Sequence, residues 1–219
     1  MGFSVATDLI AEGASVYSTS RDISKNFPGK KIQLDVLSDM SELNSQLPEK
    51  LDGLIYCPGT INLKPFNRLT DQDFINDFNV NVLGAIKILR QVLQKLKQSE
   101  SSSVVLFSTV AAKIGMNFHS SVATSKSAVE GLAISLSAEF VNSGIRVNTI
   151  APSLTDTPLA ANLLSTPERR EISAKRHPAG RIGKAKDISS ATLFLLSDES
   201  SWITGQVLHI DGGLSSLRI

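Results

Sequence analysis

Residues 104–132, VVLFSTVAAKIGMNFHSSVATSKSAVEGL, constrain the fold more than any other stretch of the chain. Residues 104–107 are an apolar run short enough for a buried strand, and a small-residue loop follows it. Val122, Val129, Leu132, Leu136 and Phe140 then recur at helical spacing, so the stretch reads as strand, loop and amphipathic helix. Ser120 or Ser121 is placed to cap that helix. Ser108 and Thr109 put two hydroxyls at the carboxyl tip of the strand, where open parallel sheets keep their ligand crevice. Lys126 stands one turn into the helix, on the same face as Val122.

The rest of the chain alternates in the same way. Residues 3–12 carry a helical apolar pattern stopped by Gly13. Strands are expected over residues 14–22, 32–36 and 51–59, with a helical stretch over residues 38–47. A long helix is expected over residues 71–97, with Phe74, Phe78, Val82, Ile86, Leu89 and Val92 as its core stripe. Asn81 falls on that stripe, and a buried amide needs a partner; packing or a kink would account for it as well as function would. A strand is expected from residue 144, then a loop with Thr157 as a possible helix cap. Residues 160–175 read as a mixed helical segment, with Leu159, Leu163 and Leu164 beneath it. Arg169, Arg170, Lys175 and Arg176 would face solvent or an anionic substrate.

At 219 residues, 42% hydrophobic and 20% charged, the sequence suits one large α/β domain spanning residues 1–219. A net charge of +1 supplies no basic field for nucleic acid or acidic membranes. Cys57 has no second cysteine to pair with, which points to a reducing compartment, the cytoplasm by default. No apolar run approaches the length of a membrane span. The opening MGFSVAT is near a myristoylation signal but holds Ala6 where Ser or Thr is required. His119, His177 and His209 are scattered, so no metal centre is expected.

The segment from Thr109 to Lys126 resembles the active-site segment of the short-chain dehydrogenase/reductase family, in which a Ser precedes a Tyr-x-x-x-Lys by a fixed interval. Lys126 matches the lysine, Thr109 stands in the serine position, and Val122 replaces the tyrosine. The resemblance runs through nearly the whole chain and implies a Rossmann-type, doubly wound parallel sheet with helices on both faces. It implies that Asn81 supports the lysine through water and that Gly2 is the last glycine of a phosphate-binding loop. It further implies that Asp35 and Val36 meet the adenine and that Gly59 lets the backbone approach the cofactor ribose. Pro152 and Thr157 match a Pro-Gly-x-x-x-Thr pattern in which Ser153 replaces the glycine. By that pattern the backbone around Leu154 holds the nicotinamide carboxamide, and Thr157 reaches the same group or the diphosphate. Homo-dimers or homo-tetramers are the family's usual assemblies. The family's first strand, which lies mid-sheet, and the other loop glycines have no counterpart before Gly2, so the natural chain is expected to begin further upstream.

Ser20 and Arg21 bear on the cofactor. An acidic residue at this strand tip bonds the adenosine ribose, whereas an arginine accommodates a 2′-phosphate through paired donors. Ser20 stands in the acidic place and Arg21 follows it, favouring NADP over NAD. Arg21 as a plain solvated loop residue is the competing reading.

Val122 cannot move a proton. The first reading is an NADP-dependent reductase or dehydrogenase acting on a small carbonyl or alcohol, with His119, Ser120 or Ser121 upstream of Lys126 supplying the proton. If the helix reaches His119, that residue shares a face with Lys126. The second is a weakly active or inactive NADP(H)-binding sensor or regulatory subunit, since a general acid contributes typically ~10²–10⁴-fold. The third is a module that binds something else on the same scaffold. The persistence of Lys126, Asn81, Thr109 and Thr157 together favours the first two.

Overall fold

The structure is a computed structural model and describes residues 1–24 and 26–218. It opens with helix α1 (Gly2–Ala11), then strands β1 (Tyr17–Ser20), β2 (Lys30–Gln33) and β3 (Gly53–Tyr56). Helix α2 (Asp71–Phe78) runs through a π turn (Asn79–Leu83) into α3 (Gly84–Lys97), and β4 (Ser102–Phe107) follows. Helix α4 (Ser120–Phe140) leads to β5 (Ile145–Pro152). A short parallel pair, β6 (Thr155–Asp156) and β7 (Gly183–Lys184), flanks helix α5 (Pro167–Lys175). Helix α6 (Ala185–Leu196) and β8 (Val207–Ile210) end the fold.

All strand pairs are parallel, and β3, β4, β5 and β8 form one sheet in that order. Strand alternation sends successive side chains to opposite faces. Val104 and Leu106 therefore enter a core with Ile88, Val92 and Val129 from α3 and α4, while Val105 and Phe107 meet Ile188 and Leu195 of α6. With helices on both faces, every residue of β4 and β5 is buried; β4 reads as an apolar and small-residue run, while in β5 the buried Arg146 and Asn148 donate to Leu195 O, Ser197 O, Ser200 Oγ and Ile203 O.

The sheet is divided. Among the described residues β1 pairs with β2 and β3 with β4, and the edges of β1 and β3 that would face one another carry no ladder. Packing of α1 on α6, and of Tyr17, Ile32 and Leu34 into the α3–α4 core, attaches the smaller sheet to the larger.

Several expectations need correction. Residues 38–47 contain only turns and a 3-10 turn at Asn44–Gln46. There Asp35 accepts from Leu37 N and Asp39 from Ser41 N and Oγ, local bonds that compete with helix formation. The strand expected over residues 32–36 ends at Gln33, which leaves Asp35 and Val36 in the loop after it. The long helix keeps its outer limits but is interrupted by the π turn. Ser120 and Ser121 lie inside α4, and the N-cap is His119, with no side-chain cap bond.

Candidate active site

The site is built where the large sheet ends. Ser108 and Thr109 follow β4 with different fates. Ser108 Oγ donates to Glu130 Oε1 at 2.5 Å and is committed to α4. Thr109 Oγ1 accepts from Ala111 N at 3.3 Å, so its own proton remains available to an oxygen placed beyond the strand.

Lys126 is 6% exposed on α4, and its Nζ donates to the Phe107 carbonyl at 2.8 Å. Burial pushes its pKa down to about 8, against a smaller upward pull from Cys57 and Asp77. Nζ keeps two further N–H donors. Gly59, after β3, lies against this amine: a Cβ there would stand 3.3 Å from Lys126 Nζ and 3.4 Å from Asn81 Oδ1. Lys126, Gly59 and Asn81 therefore meet at one point.

Asn81 occupies the middle of the π turn and is fully buried. Single π turns are a frequent way of presenting functional groups within a helix. Its Nδ2 donates to Ser125 Oγ at 2.9 Å and Thr60 Oγ1 at 3.1 Å, while Oδ1 has no partner among the described residues. The kink and the buried-amide readings of Asn81 thus hold together. Tyr56 supports the distortion by donating its hydroxyl to the Val80 carbonyl. Gly84 makes room for that phenol, since a Cβ at Gly84 would fall 2.2 Å from the Tyr56 oxygen. Burial raises the Tyr56 pKa well above its ordinary value, with Asp35 adding to the effect.

A second rung crosses the same two helices. Asp77, 2% exposed, accepts from Ser121 Oγ at 2.6 Å, one turn before the Asn81–Ser125 bond. The spacing signal was present in the sequence, because Asp77 and Asn81, like Ser121 and Ser125, are four residues apart. Cys57, half-buried beside Gly2, has its thiol pushed up to about 11 by burial, with the chain's amino terminus and Lys126 pulling the other way.

Other candidate residues line the remaining strand tips. Gly2 begins α1 against Cys57. Ser20 ends β1 with its hydroxyl turned onto Asp22 O at 3.1 Å. Arg21 is exposed and has no ion pair among the described residues. Val36 packs on Gly84, and the Asp35 carboxylate holds Leu37 N. Pro152 pairs with Ile210, the Leu154 carbonyl accepts from Gly183 N at 3.0 Å, and Thr157 Oγ1 donates to Thr155 O at 3.3 Å.

Val122 is 6% exposed, an apolar side chain beside Lys126 on the buried face of α4. His119 stands at the N-cap of α4, and its Nδ1 lies 2.7 Å from Asn117 O in the loop before the helix. Arg169 and Arg170 do not stand free over the site. Arg170 forks onto Asp156 at 2.7 and 3.2 Å, and Arg169 bonds Asn162 O and Ser165 Oγ. Leu164 is buried beneath this segment, while Leu159 is exposed. Among the described residues no group of three metal-ligating side chains occurs, and no helix is long and apolar enough to cross a membrane.

A family profile described as enoyl-(acyl carrier protein) reductase matches residues 1–215. A tropinone reductase homolog of Arabidopsis thaliana is 36% identical over 176 residues, covering 80% of this chain and 67% of that protein. The 3-oxoacyl-acyl-carrier-protein reductase FabG of Thermotoga maritima is 33% identical over 181 residues, 82% of this chain and 72% of its own length. The ligand-free aldohexose dehydrogenase of Thermoplasma acidophilum superposes with a TM-score of 0.89 at 27% identity, over 98% of this chain and 89% of that one. ElxO with NADP bound, at 24% identity, shares the fold with a TM-score of 0.88 over 99% of this chain and 96% of its own. The chain belongs to the short-chain dehydrogenase/reductase family of oxidoreductases.

Proposed function

We propose that the chain is an NADP(H)-linked oxidoreductase that acts on a small carbonyl or alcohol substrate. The observation that carries the proposal is the meeting of Lys126 Nζ and the unpartnered Asn81 Oδ1 across Gly59. A buried carbonyl oxygen left unpaired costs about 1–3 kcal/mol, a cost that a ligand or bridging water at this point offsets. The residues present fit a pyridine dinucleotide. Lys126 would hold the nicotinamide ribose, with the backbone at Gly59 and Leu154 and the Thr157 hydroxyl serving the same half. Arg21 would hold the 2′-phosphate, and Ser20, Asp35 and Val36 would surround the adenosine, with Gly2 at the diphosphate. When bound, the nucleotide supplies a two-electron hydride donor or acceptor.

The chain's own groups do the rest. Thr109 can donate its uncommitted proton to a substrate oxygen, fixing the orientation of the carbonyl. Lys126, held against the Phe107 carbonyl, brings positive charge into a site where burial strengthens its effect. Val122 contributes shape and no proton.

A second reading is favoured by Val122 itself: a nucleotide-binding sensor or regulatory subunit with slow turnover. Fluorescence titration with NADPH, followed by NADPH oxidation against ketones, aldehydes and quinones, separates the two. Binding without oxidation favours the sensor, and a Val122→Tyr variant that gains activity shows the remaining groups competent. A folded protein with no affinity for either nucleotide refutes both readings.

Assembly as a homo-dimer or homo-tetramer belongs to the same proposal, supported by exposed Ile75 and Phe78 on α2 and Ile134 on α4. Light scattering on the purified protein tests it. A cytoplasmic location is supported by the single unpaired thiol, Cys57, and is checked by cell fractionation.

A further inference from the structure

Ser153 and His177 form a second polar pair at the carboxyl end of the large sheet. Ser153 Oγ lies 2.8 Å from His177 Nε2, and His177 Nδ1 lies 2.8 Å from the Ser173 carbonyl. A carbonyl only accepts, so the Nδ1 proton belongs to the imidazole and points at Ser173. When the ring carries one proton, Nε2 is the acceptor and Ser153 the donor. His177 is 5% exposed while Ser153 is half-buried, so the pair has a sequestered base and a hydroxyl that ligands can reach. Hydroxyl, base and a third group orienting the base is the arrangement that activates side-chain hydroxyls elsewhere.

Its location gives it a task. β4 and β5 pair with Phe107 opposite Ile150, and Ser108 N continues the ladder onto the Ile150 carbonyl. Counting on, Thr109 lies beside Pro152, and Ser153 is one residue further along. Strand spacing and rise place these α-carbons about 6 Å apart. The two residues therefore stand side by side at the tips of β4 and β5.

Resting on the oxidoreductase reading above, we infer that Ser153 is a catalytic residue that exchanges the substrate proton, and that His177 acts through it as the proton reservoir Val122 cannot be. In alcohol oxidation the substrate O–H proton passes to Ser153 Oγ while the Ser153 proton passes to His177 Nε2. The carbinol hydrogen leaves with its electron pair to the oxidised nicotinamide, the O–H pair becomes the second bond of the carbonyl, and the imidazolium later releases its proton to water. Carbonyl reduction runs the same transfers backwards. The ring faces the Ser173 carbonyl of α5, the Ser153 hydroxyl after β5, and Ala179 and Gly212 of the closing turns. The charged groups on those elements are Glu168, Arg169, Arg170, Glu171 and Lys175 of α5 with Arg176 after it, Arg181 paired with Asp187, and Asp211, whose carboxylate accepts from Gly213 and Ser215.

The test uses the full chain, its Ser153→Ala variant and Ser153→Thr as the conservative rescue. Nitrogen-15 NMR of the His177 ring, without nucleotide, is expected to show the proton on Nδ1 and an Nε2 resonance that shifts in Ser153→Ala and is retained in Ser153→Thr. With NADP⁺ and a panel of secondary alcohols, Ser153→Ala is expected to lower kcat by about 10²–10⁴-fold at unchanged nucleotide affinity, with Ser153→Thr recovering much of the rate. A proton on Nε2 in the wild type, or undiminished kcat in Ser153→Ala, overturns the relay and leaves the oxidoreductase reading intact. Nucleotide binding without any alcohol oxidation by the wild type also overturns it, in favour of the sensor. Failure of the wild type to bind nucleotide overturns the underlying reading and the relay with it.

Discussion

Replacing Lys126 by Met should change how stability depends on pH in a way that only a buried, charged amine predicts. The unfolded chain holds its proton at Lys126 up to about 10.5, while the folded chain gives it up near 8. Between those values the unfolded state binds more protons, so the wild type gains stability as pH rises through the window. Below pH 8 both states are protonated and the burial penalty is paid in full. The span from 10.5 to about 8 corresponds to roughly 3 kcal/mol, with a steepest slope of about 1.4 kcal/mol per pH unit. Lys126→Met removes this term. It also strips the Phe107 carbonyl of its donor, a loss of about 1–3 kcal/mol that does not vary with pH. Urea denaturation of both proteins from pH 7 to 10.5 supplies the comparison, since other titrating groups are common to the two and cancel. The difference, wild type minus variant, should climb by about 3 kcal/mol across the window. Parallel curves would refute the claim that Lys126 is buried as a cation. The variant should also lose nucleotide binding whichever way its stability moves.

Arg21→Ala should weaken NADPH binding by about 2 kcal/mol, roughly thirtyfold, while leaving NADH affinity nearly unchanged by calorimetry. Equal losses for both nucleotides would remove Arg21 from the 2′-phosphate. Gly84→Ala should destabilise the fold by about 1–3 kcal/mol, because the added methyl meets the Tyr56 oxygen and Val36. Tyr56→Phe in the same chain should relieve part of that cost, and strictly additive chemical melts would show that the phenol is not the obstacle. In hydrogen exchange, the amides of β1 and β3 that point toward each other's sheet should exchange far faster than those of β4 and β5, which are bonded on both sides. Uniform protection would contradict the divided sheet.

The elements most legible in the sequence are those whose burial is one-sided or complete. α4 and β4 emerge from hydrophobic periodicity, β5 and the closing α6–β8 unit from the order of their motifs, and Lys126 and Asn81 meet at Gly59. Residues 38–47 misled because their apolar spacing is helical while Asp35 and Asp39 satisfy backbone donors locally. The π turn left no trace in hydropathy, since Asn81 reads there as one more polar residue; its cause lies 24 residues upstream, in the Tyr56 hydroxyl. The Ser153–His177 bond spans the same separation and depends on how α5 returns to the sheet. His119 is the N-cap of α4 rather than part of it, and its ring lies against the Asn117 carbonyl, a local contact that spacing from Lys126 does not reveal.

The divided sheet gives nucleotide binding a mechanical meaning. Arg21 follows β1 in the smaller sheet, whereas Lys126 is anchored on the Phe107 carbonyl of the larger one. A dinucleotide gripping both residues would act as a strap between the two sheets, which share no ladder bonds among the described residues. Free ligand at one hundred times its dissociation constant adds about 2.7 kcal/mol to the folded state, and here that increment would be shared between the two sheets. A half-length ligand such as adenosine 2′,5′-bisphosphate, which reaches the Arg21 side only, would bind without strapping the two sheets, leaving the β3 edge as quick to exchange as before.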